Sequence, residues 1–329
     1  MKKLRIIWTC MLVVMVLICA AFFAYQYFVI GDSVAVLDEV MGALDKEEPA
    51  PDSEDSEAVE LPAGQKVFLP ILIYHHLVEG DGEAGGAVIS ENVFREQIAA
   101  VKAAGYQSVT LDELIAFTEC RGVLPENPIL ITLDDGYNSN LTLAAPILEE
   151  YGYTAAIFAI GTNVGHPNHA HSGTPLVPAR FTWEDACAWI DKGVIEVQSH
   201  TYDMHQKSAD GYSGRDGVLQ KPGESEEDYR VALRVDFSRA KAQLEDATGK
   251  KMIALAFPYG YYSTIALEEA KNIGVKVTFL ADHGGNYVVS GDPESLHLLH
   301  RINGLNRISG ENMVRQITQV KEDLERSGK

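Results

Sequence analysis

Short apolar runs alternate with amphipathic stretches from Val67 to the end of the chain. The runs are Val67–Tyr74, Tyr106–Val109, Ile129–Leu133, Thr154–Ile160, Val194–Ser199, Met252–Phe257, Val275–Leu280 and Leu296–Ile302. A continuous apolar run without strict alternation predicts a strand buried on both faces, as in a parallel sheet. The stretches between them carry helical spacing and helix stop signals. Phe94, Ile98 and Val101 form one stripe behind a Ser90 cap, and Gly105 ends it. Thr110 with Glu113 forms a capping box. A helix through Pro146 stops at Gly152, and Thr182 opens another that Gly193 closes. The long helix Glu226–Ala247 puts Tyr229, Leu233, Phe237, Ala240 and Leu244 on one face, with Gly249 as its stop. Helices over Ser263–Asn272 and Glu311–Arg326 follow, the last with a stripe of Met313, Ile317, Val320 and Leu324. Strand–helix alternation on this scale predicts an α/β fold with a parallel sheet, of a size that suits a TIM-like barrel. A doubly wound sheet is the alternative.

Two N-terminal stretches break the pattern. Lys2, Lys3 and Arg5 precede an apolar run from Ile6 to Ile30, about 25 residues and long enough to span a bilayer. It continues through Phe22, Phe23, Tyr25 and Phe28, past the length of a cleaved signal core, so residues 1–30 are expected to be an uncleaved transmembrane anchor with its basic end inside. Residues 31–66 hold eleven acids against two lysines. Such a segment cannot bury enough surface to fold and is expected to be a disordered, self-repelling linker. The folded domain is expected over 67–329.

Charge and cysteines narrow the function. The 329-residue chain carries a net charge of −20, which excludes nucleic acid as a partner because phosphate binding needs a basic surface. Four cysteines, Cys10, Cys19, Cys120 and Cys187, lack CxxC spacing and form neither a disulfide framework nor a cysteine zinc site. Cys120 and Cys187 are expected as two separate buried thiols.

The chemistry gathers at strand ends. The run Ile129–Leu133 ends in Asp134-Asp135-Gly136-Tyr137. Two adjacent acids at the end of a buried strand are too costly for packing alone, and the carboxyl ends of parallel strands are where such folds do chemistry. Adjacent strand residues face opposite ways, so both acids share a site only if the chain turns there, as Gly136 permits. Val194–Ser199 delivers His200-Thr201-Tyr202-Asp203-Met204-His205. Two imidazoles spaced by five do not form the i, i+4 pair of a helical metalloprotease; they suit a strand end running into a turn. Two imidazoles, a carboxylate and an open fourth position make a catalytic zinc arrangement. Met252–Phe257 ends in Pro258-Tyr259-Gly260. His166, His169 and His171 lie in a Pro/Gly/Asn loop and are expected to be rim residues; Gly211–Glu224 is a second irregular insertion of the kind that shapes substrate choice.

These stretches carry a resemblance. Leu133-Asp134-Asp135-Gly136-Tyr137, Ser199–His205 and Ala256-Phe257-Pro258-Tyr259-Gly260 resemble the three motifs of the polysaccharide deacetylases of the NodB-homology type, carbohydrate esterase family 4. The resemblance runs from about Phe68 to the C-terminus. It implies a distorted (β/α)7 barrel and metal-dependent removal of acetyl groups from N-acetylated sugars. It implies Asp135, His200 and His205 as ligands of a divalent metal, zinc first, with Asp134 as general base. It also implies an oxyanion-binding N–H at Tyr259, with Tyr137, Pro258 and Gly260 at the substrate. The opening Leu69–His76 resembles the poly-N-acetylglucosamine deacetylase branch, where the acid histidine follows the tyrosine. That favours His75 as general acid over His300, and leaves His76 to packing or the rim. Many relatives carry an arginine upstream of the third motif that orients the base. Met252–Ala256 has none, and Arg301 is the candidate replacement.

The expected substrate is an N-acetylated wall or extracellular glycan, peptidoglycan or poly-N-acetylglucosamine, acted on outside a bacterial cell membrane. The alternatives are an O-deacetylase of acetylated xylan or peptidoglycan using the same site, and a glycan-binding module with a vestigial site.

Overall fold

The computed structural model describes residues 63–81 and 83–328; the anchor expected over 1–30 and the linker up to residue 62 lie outside the described residues. Among the described residues no helix is long and apolar enough to cross a membrane. The strands in chain order are β1 (Lys66–Leu69), β2 (Ile71–Tyr74), β3 (Leu77–Val78), β4 (Ile89–Ser90), β5 (Gln107–Ser108), β6 (Pro128–Asp135), β7 (Ala155–Ala159), β8 (Ile195–Ser199), β9 (Ala254–Ala256), β10 (Val277–His283), β11 (Asn286–Val289) and β12 (Leu299–Asn303). Pairing runs β2–β12–β10–β9–β8–β7–β6 and back from β6 to β2, all parallel, so seven strands close a ring. The doubly wound sheet is thereby excluded. β5 pairs with the start of β6 and stays outside the ring. The closure is uneven: β8 and β9 share a single paired position, Ser199 with Leu255, and the β10–β12 register shifts between Phe279 and His283.

Alternation along the strands sorts the core into two layers. Ile129, Ile131 and Leu133 pack outward against helices with Phe94, Ile98, Leu148 and Phe237. Leu130, Ala156, Phe158, Ala254, Ala256, Val277, Phe279 and Leu299 pack together inside the ring. The inner cluster also takes in Leu111, Leu114, Ile115 and Phe117, so the helix Leu111–Thr118 plugs the N-terminal mouth of the barrel. With that end sealed, the C-terminal mouth is where strand-end side chains meet solvent.

Most helices start and stop where their capping chemistry predicts. Ser90, Thr110, Thr182, Ser225, Ser263 and Ser309 each accept a backbone N–H of the first turn. Gly152 and Gly249 end their helices in the left-handed conformation. The differences have physical causes. The run Val67–Tyr74 is two strands, because Pro70 has no N–H to continue a ladder. β1 pairs antiparallel with β11, which the sequence reading missed, while β2 joins the ring. Gly64 donates to the Ser290 carbonyl and Ser290 to that of Gln65, so chain read as linker up to residue 66 is tied to the domain. The helix through Pro146 opens with a π turn, Asn140–Ala144, ahead of Ala145–Tyr151. The run expected from Leu296 starts as a strand only at Leu299, after a 3-10 turn at Pro293–Leu296. Cys120 and Cys187 are separate free thiols, as expected, but half-buried rather than buried.

Glu196, near the start of β8, accepts the N–H of Leu111 at 3.2 Å at the sealed end. Burial, reinforced by Asp112 and Glu113, pushes its carboxyl up to about 7 against that hydrogen bond. In an unfolded chain the value is about 4.3. Between the two, the folded state holds a proton that the unfolded state releases, so stability falls as pH rises through this window and is level above it. Glu196→Gln is expected to raise stability by about 1–3 kcal/mol at about pH 8 and to match the parent at about pH 4. Thermal melts at both pH values check this; equal shifts at the two would contradict it.

Candidate active site

β6 carries Leu130, Thr132 and Asp134 on its inward face. Strict alternation would send Asp135 outward. Instead the chain turns at Asp135 itself, with φ +73°, and continues through Gly136 at φ +67°. A non-glycine residue in this region costs about 1–3 kcal/mol and persists only where its surroundings hold it. The turn brings both carboxylates to the barrel mouth, 2% and 8% exposed.

Asp134 is held by Arg301. Nη1 and Nη2 of the guanidinium donate to Oδ1 and Oδ2, each at 2.7 Å. Arg301 reaches inward because β12 alternates, with Leu299 and Arg301 buried and His300 half-buried between them. Its Nε donates to the Leu280 carbonyl at 2.7 Å and Nη1 also to Thr132 Oγ1 at 3.3 Å. The rings of Phe158 and Phe279 lie 5.8 and 5.9 Å from the guanidinium carbon. Arg301 is 0% exposed, so this is a desolvated, bidentate pair that also satisfies most of the guanidinium's donors. Burial would raise the Asp134 carboxyl; Arg301, with His200 and His75, outweighs it and holds that carboxyl far below the usual range. Arg301 thus reaches Asp134 from β12, two strands along the ring from β9, where Met252–Ala256 offers no arginine.

Asp135, His200 and His205 are brought together. Asp135 Oδ1 lies 3.6 Å from His200 Nε2 and 3.3 Å from His205 Nε2. That oxygen is buried and has no hydrogen-bond partner. Ligand bonds of about 2.0–2.1 Å at tetrahedral angles put donor atoms about 3.3–3.4 Å apart. The two carboxylate–imidazole distances are close to this, and all three donor atoms lie within 4.8 Å of one another, so the group could hold a divalent cation. The other ring nitrogens are anchored: His200 Nδ1 bonds the Ala256 carbonyl at 2.8 Å, and His205 Nδ1 meets the Tyr259 hydroxyl at 3.2 Å. Such outer partners aim the imidazoles. Burial, then the neighbouring His200, pushes His205 down to about 4, so its ring is neutral at pH 7 and offers a lone pair. Burial would raise Asp135, but His205, His200 and His75 together lower it. Among the described residues this is the group of three able to hold a metal; His166, His169 and His171 form no second one.

The rest of the predicted site surrounds this centre. His75 follows β2, its carbonyl accepting from Asn140 Nδ2 at 2.7 Å, and its ring is close enough to act on both aspartates. His76 turns aside to Ser139 Oγ at 2.9 Å, as expected of a packing residue. Tyr137 is half-buried beneath the Arg180 guanidinium, 3.7 Å from its ring. Pro258 is buried, and Tyr259, at φ +60°, lays its ring 4.6 Å from that of His205. Gly260 lies against Ala281, where an added Cβ would come within 2.9 Å of the backbone nitrogen. It shapes the turn and offers no side chain to a ligand. A depression of about 430 Å³ runs from Asp135 and Tyr137 past Arg180 to His171, Asp210 and Tyr212. His169 and His171 line it, in keeping with a rim role. His300 lies on the opposite face of β12 from Arg301, packed on Gly284. The sequence reading missed Arg180 and the Asn140 anchor, neither of which sits in a motif.

Comparison with known proteins agrees with this fold. Residues 121–278 match the family model described as polysaccharide deacetylase. The poly-beta-1,6-N-acetyl-D-glucosamine N-deacetylase of Escherichia coli K12 is 25% identical over 285 residues, covering 83% of this chain but 42% of the relative, less than half its length. A de-N-acetylase structure from Aggregatibacter actinomycetemcomitans superposes with a TM-score of 0.66 at 22% identity, over 76% of this chain and 100% of that one. The IcaB structure from Ammonifex degensii superposes with a TM-score of 0.61 at 22% identity, over 79% and 98%. These two likenesses establish the fold.

Arg301→Leu leaves Asp134 as a buried charge without its counter-ion and is expected to destabilise the fold by about 3–5 kcal/mol. Arg301→Leu combined with Asp134→Asn should cost less than Arg301→Leu alone. Denaturant unfolding of both variants measures this; a cost below about 1 kcal/mol for Arg301→Leu would contradict a fully desolvated pair.

Proposed function

We propose that this chain is a metal-dependent N-deacetylase acting on N-acetylglucosamine residues of a cell-wall or extracellular polysaccharide. The reading is carried by one juxtaposition: the unpartnered Oδ1 of Asp135 sits 3.3 and 3.6 Å from two imidazole nitrogens, beside an aspartate fixed by Arg301. A divalent cation held by Asp135, His200 and His205, zinc first, would acidify a water and polarise the acetamide carbonyl.

Asp134 takes the proton of the attacking water at a carboxylate oxygen. Arg301 uses one lone pair on each oxygen and leaves the others free. The pairing keeps Asp134 ionised across the neutral range at the expense of basicity, so the base works on an acidified water rather than on bulk water. The Tyr259 N–H donates to the carbonyl oxygen as it gains charge. His75 gives its proton to the departing nitrogen, whose release as a free amine completes the hydrolysis to acetate and an amino sugar. Tyr137, stacked under Arg180, and the residues around Pro258 and Gly260 frame the acetylated sugar. Poly-N-acetylglucosamine is the preferred glycan, supported by the Tyr74-His75 opening and by the name of the Escherichia coli relative; peptidoglycan is the second choice. The apolar run Ile6–Ile30 behind Lys2, Lys3 and Arg5 supports a single-pass anchor in a bacterial membrane, with the domain outside.

The test is acetate release from poly-N-acetylglucosamine, peptidoglycan and acetylated xylan, with and without chelator. The expected result is acetate with a free amine, lost on chelation. Asp134→Asn should lower the rate by about 10²–10⁴-fold while bound metal stays at the parent level. Acetate with a free hydroxyl would make the chain an O-deacetylase, and glycan binding by a protein that takes up no metal would make it a binding module.

A further inference from the structure

We propose that Asp236 is a positioning residue of this site: its carboxylate fixes the turn that brings His205 back to the same point as His200. The two imidazoles are separated by Thr201, Tyr202, Asp203 and Met204, and no regular element spans them. Something must hold that backbone to a fraction of an ångström if both rings are to meet one ion.

Asp236 does so from the middle of the helix Glu226–Thr248. Its Oδ1 accepts the N–H of Tyr202 and its Oδ2 the N–H of Asp203, both at 2.8 Å. These are consecutive amides inside the histidine turn. The side chain sits on the buried face of the helix with Leu233, Phe237 and Ala240, and is 6% exposed. A carboxylate there is costly without donors. Burial pushes it up to about 7, against the pull of the two N–H groups. Packing alone would place an apolar residue at this helix position, so the acid is explained by the turn it grips.

The opposite edge of the turn is held as firmly. Gly161 N–H donates to the Thr201 carbonyl at 3.0 Å and Thr162 N–H to that of Tyr202 at 2.8 Å. Gly161 allows this approach: a Cβ there would lie 2.6 Å from the Tyr202 ring and 3.0 Å from its Cα. Ser199 Oγ accepts from Thr201 N at 3.0 Å and Thr201 Oγ1 from Met204 N at 3.1 Å. Thr201 itself is at φ +71°. The strained residue, the strand-like contact at 161–162 and the two-pronged carboxylate together set one geometry for the loop. An asparagine at 236 would keep one acceptor and turn an NH2 group on the other amide. A glutamate would keep the charge but shift it by one methylene.

The inference rests on the metal reading above. The experiment is zinc affinity of the full chain, by competition with a chromophoric chelator at about pH 8, where the Asp236 carboxylate is ionised. Cobalt(II) absorption of the same proteins reports coordination geometry. Asp236→Asn and Asp236→Glu are expected to weaken zinc binding by about 10–100-fold and to alter the cobalt spectrum. Asp236→Glu serves if the asparagine variant fails to fold. Parent-like zinc affinity and cobalt spectrum in a folded variant, even with a lowered melting temperature, would overturn the proposal and leave Asp236 a stabiliser only. A parent chain that binds no zinc would instead overturn the metal reading.

Discussion

The bidentate contact between Arg301 and Asp134 ties the barrel's core to its chemistry. It links β12 to β6 past the intervening β2, in an inner layer otherwise filled by apolar side chains such as Phe158, Phe279, Leu130 and Leu299. Two opposite charges in such a place are tolerable only because each satisfies the other and because Leu280 and Thr132 take further donors. The same contact sets the two carboxylates apart. Asp134, with Arg301 across both oxygens, is directed and ionised but left with low basicity. Asp135, one residue on and past a strained turn, keeps a buried oxygen that no protein donor meets. Two identical side chains thus acquire different electrostatic character through backbone geometry and a single arginine.

The grouping of Asp135, His200 and His205 depends on backbone as much as on side chains. Three of the positions that shape it, Asp135, Thr201 and Tyr259, are non-glycine residues at positive φ. Each sits at or just beyond a strand end, and each is locked from outside: Gly136 and the β7 edge at the first, Asp236 and the 161–162 segment at the second, Ala281 behind Gly260 at the third. Strain concentrated at three strand ends, with the opposite mouth plugged by the Leu111–Thr118 helix, is how a packed barrel spends stability on one functional face.

Much of this was legible from residue order alone. Helix caps and stops are local chemistry, so Ser90, Thr110 and Gly249 mark boundaries that the structure keeps. The three strand-end stretches could be read because acids, histidines and a Pro-Tyr-Gly turn are out of place at the ends of buried runs. Arg301 was legible for a related reason: an arginine inside an apolar run needs a buried partner, and Asp134 lacked one. The unread parts are those that depend on distant pairing. Pro70 divides one apolar run into strands of two different sheets, and β11 is too short to announce itself. Asp236 lies in a helix whose stripe looks complete without it, and Asn140 and Arg180 reach the site through folding of segments that carry no motif.

The central claim is that Arg301 acts in catalysis only through Asp134. The direct test is the rate of acetate release at saturating substrate and metal for Asp134→Asn, Arg301→Met and the pair combined. If the claim holds, the combined variant is no slower than Asp134→Asn alone, because without the carboxylate the arginine has nothing left to aim. If the two losses multiply instead, Arg301 has a separate part in the reaction and the account is wrong.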